Sequence, residues 1–408
     1  MLLKKYKLES HRKVTGNLTR KEPIMTKFKI PVAFFSICLI FNFFSSLSSQ
    51  SLAPIYQKGS AVLVADLTIG GDTTDENSLL NRPSKVVVDS YGNILVLDSG
   101  EDHIKKFDAT GKYITTIGRR GRGPGELMQC YNMTIDENDN IITWDFGNRR
   151  FTFFNSEGKH LKTLNTTDII EFPNVVFDFK VGRNGVFYIQ MMQMDHKGEK
   201  GGTLYNIYQF SPDLKIKKEI ISVRIRDNSF ISKPIFTNVP IPYHPRLLWN
   251  ILPSGNIVVT HSEDYSIKIF SADLKLLHDL KHQKQRMKIT EKDKEMHFAG
   301  LTFASGSSES GIVERKSSVP DYIRKATEFP KFKPYFRDMF TDHEGNILIQ
   351  TFEMIEQNYN YDVFSPEGKF INRVTLPTFD QCIIYRGFIY QVKGGEDEFP
   401  AIVRYRLQ

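Results

Sequence analysis

One phrase recurs along this chain, and it constrains the fold more than any single residue does. Asp89-Ser90-Tyr91-Gly92-Asn93-Ile94-Leu95-Val96-Leu97-Asp98 returns as Asp136-Glu137-Asn138-Asp139-Asn140-Ile141-Ile142-Thr143-Trp144-Asp145. It is heard again in Leu252-Pro253-Ser254-Gly255-Asn256-Ile257-Val258-Val259 and in Asp342-His343-Glu344-Gly345-Asn346-Ile347-Leu348-Ile349. Self-similarity of this kind marks a repeat architecture, in which each copy is one supersecondary unit.

Each copy reads as four antiparallel strands. In the first, Lys85 to Asp89 turns through Gly92-Asn93 into Ile94 to Leu97, and Ile104 to Phe107 turns through Asp108 to Gly111 into Tyr113 to Ile117. Gly and Asn tolerate the positive φ that a two-residue hairpin requires. The second hairpin recurs at Asn155-Ser156-Glu157-Gly158, Ser211-Pro212-Asp213, Ser271-Ala272-Asp273 and Ser365-Pro366-Glu367-Gly368. From Asn93 to Asn140 is 47 residues, to Gly185 a further 45, to Asn256 a further 71 and to Asn346 a further 90. The first two steps match one propeller blade, and the last two a blade plus an insertion.

A sixth unit, Gln381 to Tyr385, Phe388 to Lys393 and Ile402 to Leu407, lacks its fourth strand. That strand is expected at the other end of the chain, in Ala61 to Gly71, whose Leu67-Thr68-Ile69-Gly70 echoes Thr115-Thr116-Ile117-Gly118. Pairing the two ends removes two exposed sheet edges. The expected fold is therefore all-β: a six-bladed β-propeller over residues 50–408, closed by an N-terminal strand that completes the C-terminal blade. Insertions are expected at about 222–246 and 281–334.

Residues 1–49 read as a secretory signal. Lys27 and Lys29 precede the apolar run Ile30 to Phe44, and small residues follow it at Ser45 to Ser49. The run is shorter than the ~20 residues of a spanning helix. Cleavage near Ser48 is expected to leave no membrane span, with an uncleaved anchor as the alternative. Phe35-Ser36-Ile37 puts no small residue next to Cys38, which argues against lipidation. Met25 is a second candidate start, which would set residues 1–24 aside. The implied location is periplasmic, cell-surface or extracellular.

The leader accounts for the basic balance. Residues 1–48 hold nine Lys or Arg and two acids, a surplus of seven that equals the net +7 of the whole chain. The remainder is neutral, so the high isoelectric point is no sign of nucleic-acid binding. Cys130 and Cys382 fall in first strands of blades two and six, which are not neighbours, and are expected as buried thiols rather than a disulfide.

Ile117-Gly118-Arg119-Arg120-Gly121-Arg122-Gly123-Pro124-Gly125-Glu126-Leu127, then Asp136 to Asp145, then Asn148-Arg149-Arg150-Phe151-Thr152-Phe153-Phe154-Asn155, resembles the repeat of the NHL family. The whole is similar to the secreted six-bladed propellers related to it, most closely over residues 84–164. The resemblance implies a fold. It implies no single activity, since such propellers serve as binding modules, lactonases, lyases and sugar-binding proteins.

In a propeller the loops between strands two and three, and those from blade to blade, open on one face. That face is expected to carry Asp98, Asp145, Arg119, Arg120, Arg122, Glu126, His261 and both insertions. Asp98, Asp145, Arg119, Arg120, Arg122 and His261 are the ligand-binding candidates. Each also has a structural reading. The Gly118–Glu126 loop has no Lys-Ser/Thr and reads as a blade-to-blade crossover rather than a phosphate cradle. Asp98 and Asp145 occupy equivalent positions, where an Asp caps backbone donors of its own loop. His103 and His261 map to this face and His160 and His343 to the other, so a three-histidine metal site is not supported.

The 281–334 insertion contains a predicted helix, Glu291 to Phe298 behind Thr290, a Gly/Ser run from Ala304 to Gly311, and a basic-aromatic stretch from Tyr322 to Tyr335. It reads as a tolerated surface insertion or as a lid. No catalytic residue is identified, and no cofactor is called for. The favoured function is a non-catalytic extracytoplasmic module binding a glycan, peptide or envelope protein on the insertion-bearing face. The alternative is a hydrolase or lyase with calcium in the central channel, where first-strand acids and amides such as Asn132 would converge. A purely architectural partner in an envelope complex is the third class.

Overall fold

Six four-stranded antiparallel sheets form in chain order, and five of them use four consecutive strands. In the computed structural model the described residues are 51–167, 169–170, 174–194, 202–231, 237–299, 301, 303–305, 314–316, 319–377, 381–394 and 398–408. Residues 1–50, where the signal segment is expected, lie outside them. Blade one is Pro83–Val88, Ile94–Asp98, His103–Phe107 and Tyr113–Ile117, and blade two runs from Cys130–Ile135 to His160–Asn165. Blade three runs from Val175–Val181 to Lys217–Ile225, blade four from Leu247–Ile251 to Leu276–Lys281, and blade five from Asp338–Thr341 to Phe370–Pro377.

The sixth sheet takes Cys382–Tyr385, Phe388–Lys393 and Ala401–Leu407 from one end of the chain and Leu63–Gly70 from the other. Leu63 pairs with Leu407 and Gly70 with Ala401, antiparallel throughout. The fold is a six-bladed β-propeller, closed as the echo of Leu67 to Gly70 predicts.

Its core is not one cluster but one between each pair of neighbouring blades. Leu97, Ile117, Met133 and Phe154 join blades one and two, and Trp144, Phe151, Phe179 and Phe187 join two and three. Tyr188 and Trp249, Tyr265 and Phe336, Tyr361 and Ile389, and Tyr390 and Phe107 continue the ring until blade six meets blade one. Second strands are therefore covered on both faces, and Ile94–Asp98 and Ile141–Asp145 are buried at every residue. The outer strand Tyr113–Ile117 alternates instead.

The first hairpin differs from the expected two-residue turn. Gly92 has φ 87°, but Asn93 does not adopt a positive φ. The Asp89 carboxylate accepts the N–H groups of Tyr91 and Asn93 at 3.1 and 2.8 Å and the Asn93 amide at 2.9 Å. Asp136 and Asp342 repeat this pattern with Asn140 and Asn346. The Asn is used for its side chain, which ties the end of the turn to its start. In blade two Asp139, φ 58°, stands where the others have glycine. Arg386-Gly387, with φ 49° and 82°, is a true two-residue hairpin.

The fourth strand of blade three runs on to Ile225, which still pairs with Thr203, so the first insertion begins at 226 rather than 222. Its hairpin, Asn228–Ile231 with Thr237–Pro240, lies beside the second insertion. The predicted helix stands at Glu291–Ala299, with the Asp293 N–H donating to Thr290 Oγ1 and Asp293 Oδ2 accepting from the Thr290 N–H. That is a reciprocal capping box. Val239 packs with Phe298, Val319 and Ile323, so the two insertions share a small core of their own. The Gly/Ser run lies largely outside the described residues. No described helix is long and apolar enough to cross a membrane.

Candidate ligand-binding channel

The inner strands of all six blades surround a cavity of about 1020 Å³. Counting back four residues from each first turn gives Lys85, Asn132, Asp178, Leu248, Asp338 and Cys382, and all six line it. In blades one to three the register slips just before this position, at Ser84, Tyr131 and Phe177. A bulge re-aims the residue that follows it. Here it delivers an ammonium, an amide and a carboxylate to one level of the channel.

These groups interact across blade boundaries. Asn132 Nδ2 donates to Asp178 Oδ1 at 2.7 Å, and the Phe179 N–H donates to the same oxygen at 2.9 Å. Lys180 Nζ lies 3.5 Å from Asp178 Oδ2 and 5.2 Å above the Trp249 ring. Trp249 Nε1 donates to Gln190 Oε1 at 3.0 Å. Burial alone would push Asp178 up, but Lys180, Lys85 and the Asn132 amide hold its carboxyl below the usual range. Burial pulls the Lys85 ammonium down, against the attraction of Asp178 and with the repulsion of Lys180. On the far wall Asp338 is taken by Arg246 at 2.9 Å.

Above this floor, at the mouth facing the insertions, Tyr131 is 49 % exposed, Phe146 42 % and Phe177 53 %. Phe177 meets Tyr205 edge to face at 5.8 Å, and the Tyr205 hydroxyl donates to Asp227 at 2.9 Å. His244 and Arg246, at the end of the first insertion, complete the rim. An apolar wall with a few convergent polar groups is what a small-molecule or chain-end site looks like.

Asp98, Asp145 and His261 end the second strands of blades one, two and four, and none of them lines the cavity. Asp98 accepts the N–H groups of Asn81 and Arg82, both at 2.7 Å, and of Gly100 at 3.3 Å. Asp145 accepts the Met128 N–H at 3.0 Å, the Asn148 amide at 2.7 Å and Arg150 Nε at 3.1 Å. Burial outweighs these partners and raises its carboxyl. His261 Nδ1 lies 3.7 Å from Asp264, its Nε2 is buried without a partner among the described residues, and burial lowers the imidazole.

Arg119 pairs with Glu126 at 2.8 Å and Arg120 with Asp102 at 2.8 Å, both on the crossover from blade one to blade two. Arg122 gives its carbonyl to Arg150 at 3.1 Å. The structure thus separates the six candidates from the channel. Asn132 is the one sequence-stated channel residue that it brings there. Lys85 and Asp178 were legible only as polar interruptions at one register of the inner strands, and nothing in the sequence singled out Lys180 or the mouth aromatics. Among the described residues no group of three or more His, Cys, Asp and Glu gathers. Neither Cys130 nor Cys382 forms a disulfide.

Fold and cavity together define a six-bladed propeller with a polar-floored, aromatic-mouthed channel. A family model described as a domain of unknown function (DUF4934) matches residues 72–244, the span of blades one to three. No curated protein matches the chain. Among solved structures it is similar to a member of the duf4221 family from Bacteroides vulgatus, at 10 % identity over 86 % of this chain and 99 % of that one, TM-score 0.49. It is also similar to a calcium-binding protein, regucalcin, from Agrobacterium tumefaciens (10 % identity, 85 % and 96 % covered, TM-score 0.40). A third is virginiamycin B lyase from Staphylococcus aureus (9 % identity, 84 % and 99 % covered, TM-score 0.39). At that identity and overlap none carries a function to this chain.

Proposed function

We propose that this protein is a non-catalytic, extracytoplasmic binding module that holds the end of a glycan or peptide in the mouth of its channel. One observation carries the reading: half-exposed Tyr131, Phe146 and Phe177 stand over a floor where Lys85, Asn132 and Asp178 converge from three blades. Rigid aromatic surface beside fixed polar groups supplies contact area and orientation at little entropic cost. The blade scaffold holds both in place. The charged-apolar leader and the NHL-type phrase of blades one and two support a location outside the cytoplasm.

The calcium-dependent alternative draws on the meeting of Asn132 and Asp178. Lys180 at 3.5 Å from that carboxylate, with Lys85 close enough to perturb it, works against a divalent cation, which needs several oxygens and no ammonium.

Glycan-array and pull-down screening of the chain from residue 50 tests the reading. Tyr131→Ala and Phe177→Ala should each weaken capture about tenfold or more with the melting temperature unchanged. If instead the triple Arg119/Arg120/Arg122→Ala variant loses the ligand and the aromatic variants do not, binding belongs to the crossover loop. Ligand-dependent turnover that requires calcium would establish the enzymatic alternative.

A further inference from the structure

Two buried polar atoms of the channel wall have no hydrogen-bond partner among the described residues: Asn132 Oδ1 and Trp144 Nε1. The two residues are cross-strand partners, so their side chains project from the same face of blade two, and both line the cavity. Trp144 is 6 % exposed, which removes its N–H from bulk water. Native proteins rarely leave a buried donor unpaired, and a site that a ligand completes is one reason to do so. The pair offers one donor and one acceptor side by side.

Lys85 enters the same cavity from blade one, and no ion pair or hydrogen bond closes on its ammonium among the described residues. Of the cations lining the cavity, Lys180 lies against Asp178 and Arg246 against Asp338, while the third carboxylate, Asp342, is held by the Tyr56 hydroxyl and Asn346. Lys85 is therefore the lining cation that no carboxylate contacts among the described residues. A halide or sulfate would meet that charge but brings no donor to the Asn132 oxygen, which can only accept. A ligand carrying a carboxylate beside a hydroxyl meets both. The exposed faces of Tyr131 and Phe177 suit the apolar C–H face of a sugar ring.

We propose that the channel mouth binds an acidic saccharide, its carboxylate received by Lys85 Nζ and the Trp144 indole N–H, a neighbouring hydroxyl donated to Asn132 Oδ1, and its ring laid against Tyr131 or Phe177. This rests on the mouth being the ligand site. Burial holds the Lys85 ammonium below its usual range, so an arriving carboxylate raises it and binding takes up protons wherever the free site is partly deprotonated.

The test is an array of uronate- and sialate-bearing glycans printed beside their carboxyl-reduced counterparts, followed by titration calorimetry of the strongest pair. Carboxyl reduction, Lys85→Met and Trp144→Phe should each weaken binding about tenfold, and added salt should weaken only the acidic form. Thermal melts of both variants verify folding, and Trp144→Phe keeps an aromatic ring in place while deleting the donor. Equal binding of the acidic and reduced glycans, lost in Tyr131→Ala, overturns the acidic assignment while leaving the mouth as the site. Acidic binding that survives both Lys85→Met and Trp144→Phe overturns the placement. Capture of peptide termini and no glycan overturns the saccharide.

Discussion

Asp66 and Arg404, 338 residues apart in the chain, close the ring through a bond of 2.8 Å between Oδ1 and Nε. Asp66 occupies the register slip of the closing strand, between Ala65 and Leu67, and also takes Arg406 Nε at 2.8 Å. Arg404 is 8 % exposed, so deleting its partner leaves a buried guanidinium uncompensated. Asp66→Ala should cost about 3 kcal/mol of unfolding free energy in urea. Removing residues 50–70 should lower the melting temperature further by reopening an edge strand. Unchanged melting would refute closure.

Asp362, fully buried in blade five, binds Arg373 at 2.6 Å, accepts the Tyr265 hydroxyl from blade four and lies 3.7 Å from Lys284. Asp362→Ala removes the anion from among two cations and should cost about 3–5 kcal/mol. Tyr265→Phe deletes one donor and leaves the ion pairs, at about 1 kcal/mol. Urea titration followed by tryptophan fluorescence separates the two, and equal losses would show that the hydroxyl, not the charge, is the link between the blades.

His103, His261 and His297 are each lowered from the ordinary value near 6.5 by burial. A lowered folded value means that the unfolded chain takes up protons first. Their contribution to stability is therefore complete above 6.5 and is lost as pH falls from there through the folded values. The melting temperature should drop between pH 7 and 5, and His103→Gln with His261→Gln should flatten that slope. A slope unaltered by the double variant would assign it to other groups.

Burial pushes the Cys130 thiol far up, and its side chain is fully enclosed between blades one and two. In native protein from residue 50, a thiol reagent at pH 8 should leave Cys130 untouched and label Cys382 alone, with Cys130 appearing only in denaturant. Cys382→Ser then abolishes native labelling. Prompt labelling of that variant would show that the blade one–two interface opens.

The sequence by itself determined the blades, because each is a local event: a strand, a turn and a return strand within some 45 residues. Asp89, Asp136 and Asp342 announce their turns from within five residues of the groups they bind. Closure was legible too, since the motif ending at Gly70 is a copy of one ending at Gly118. Only the tertiary structure decided which polar residues share a site. Lys85, Asn132 and Asp178 are separated by more than forty residues each, and they meet because ring closure and three bulges set one register of the inner strands around a common axis. Asp98 and Asp145 stand out in sequence by recurring, yet they recur because each blade must satisfy the same backbone donors. A ligand site is instead where the blades differ: Lys85, Asn132 and Asp178 occupy one position with three chemistries, and only their juxtaposition in space makes them a set.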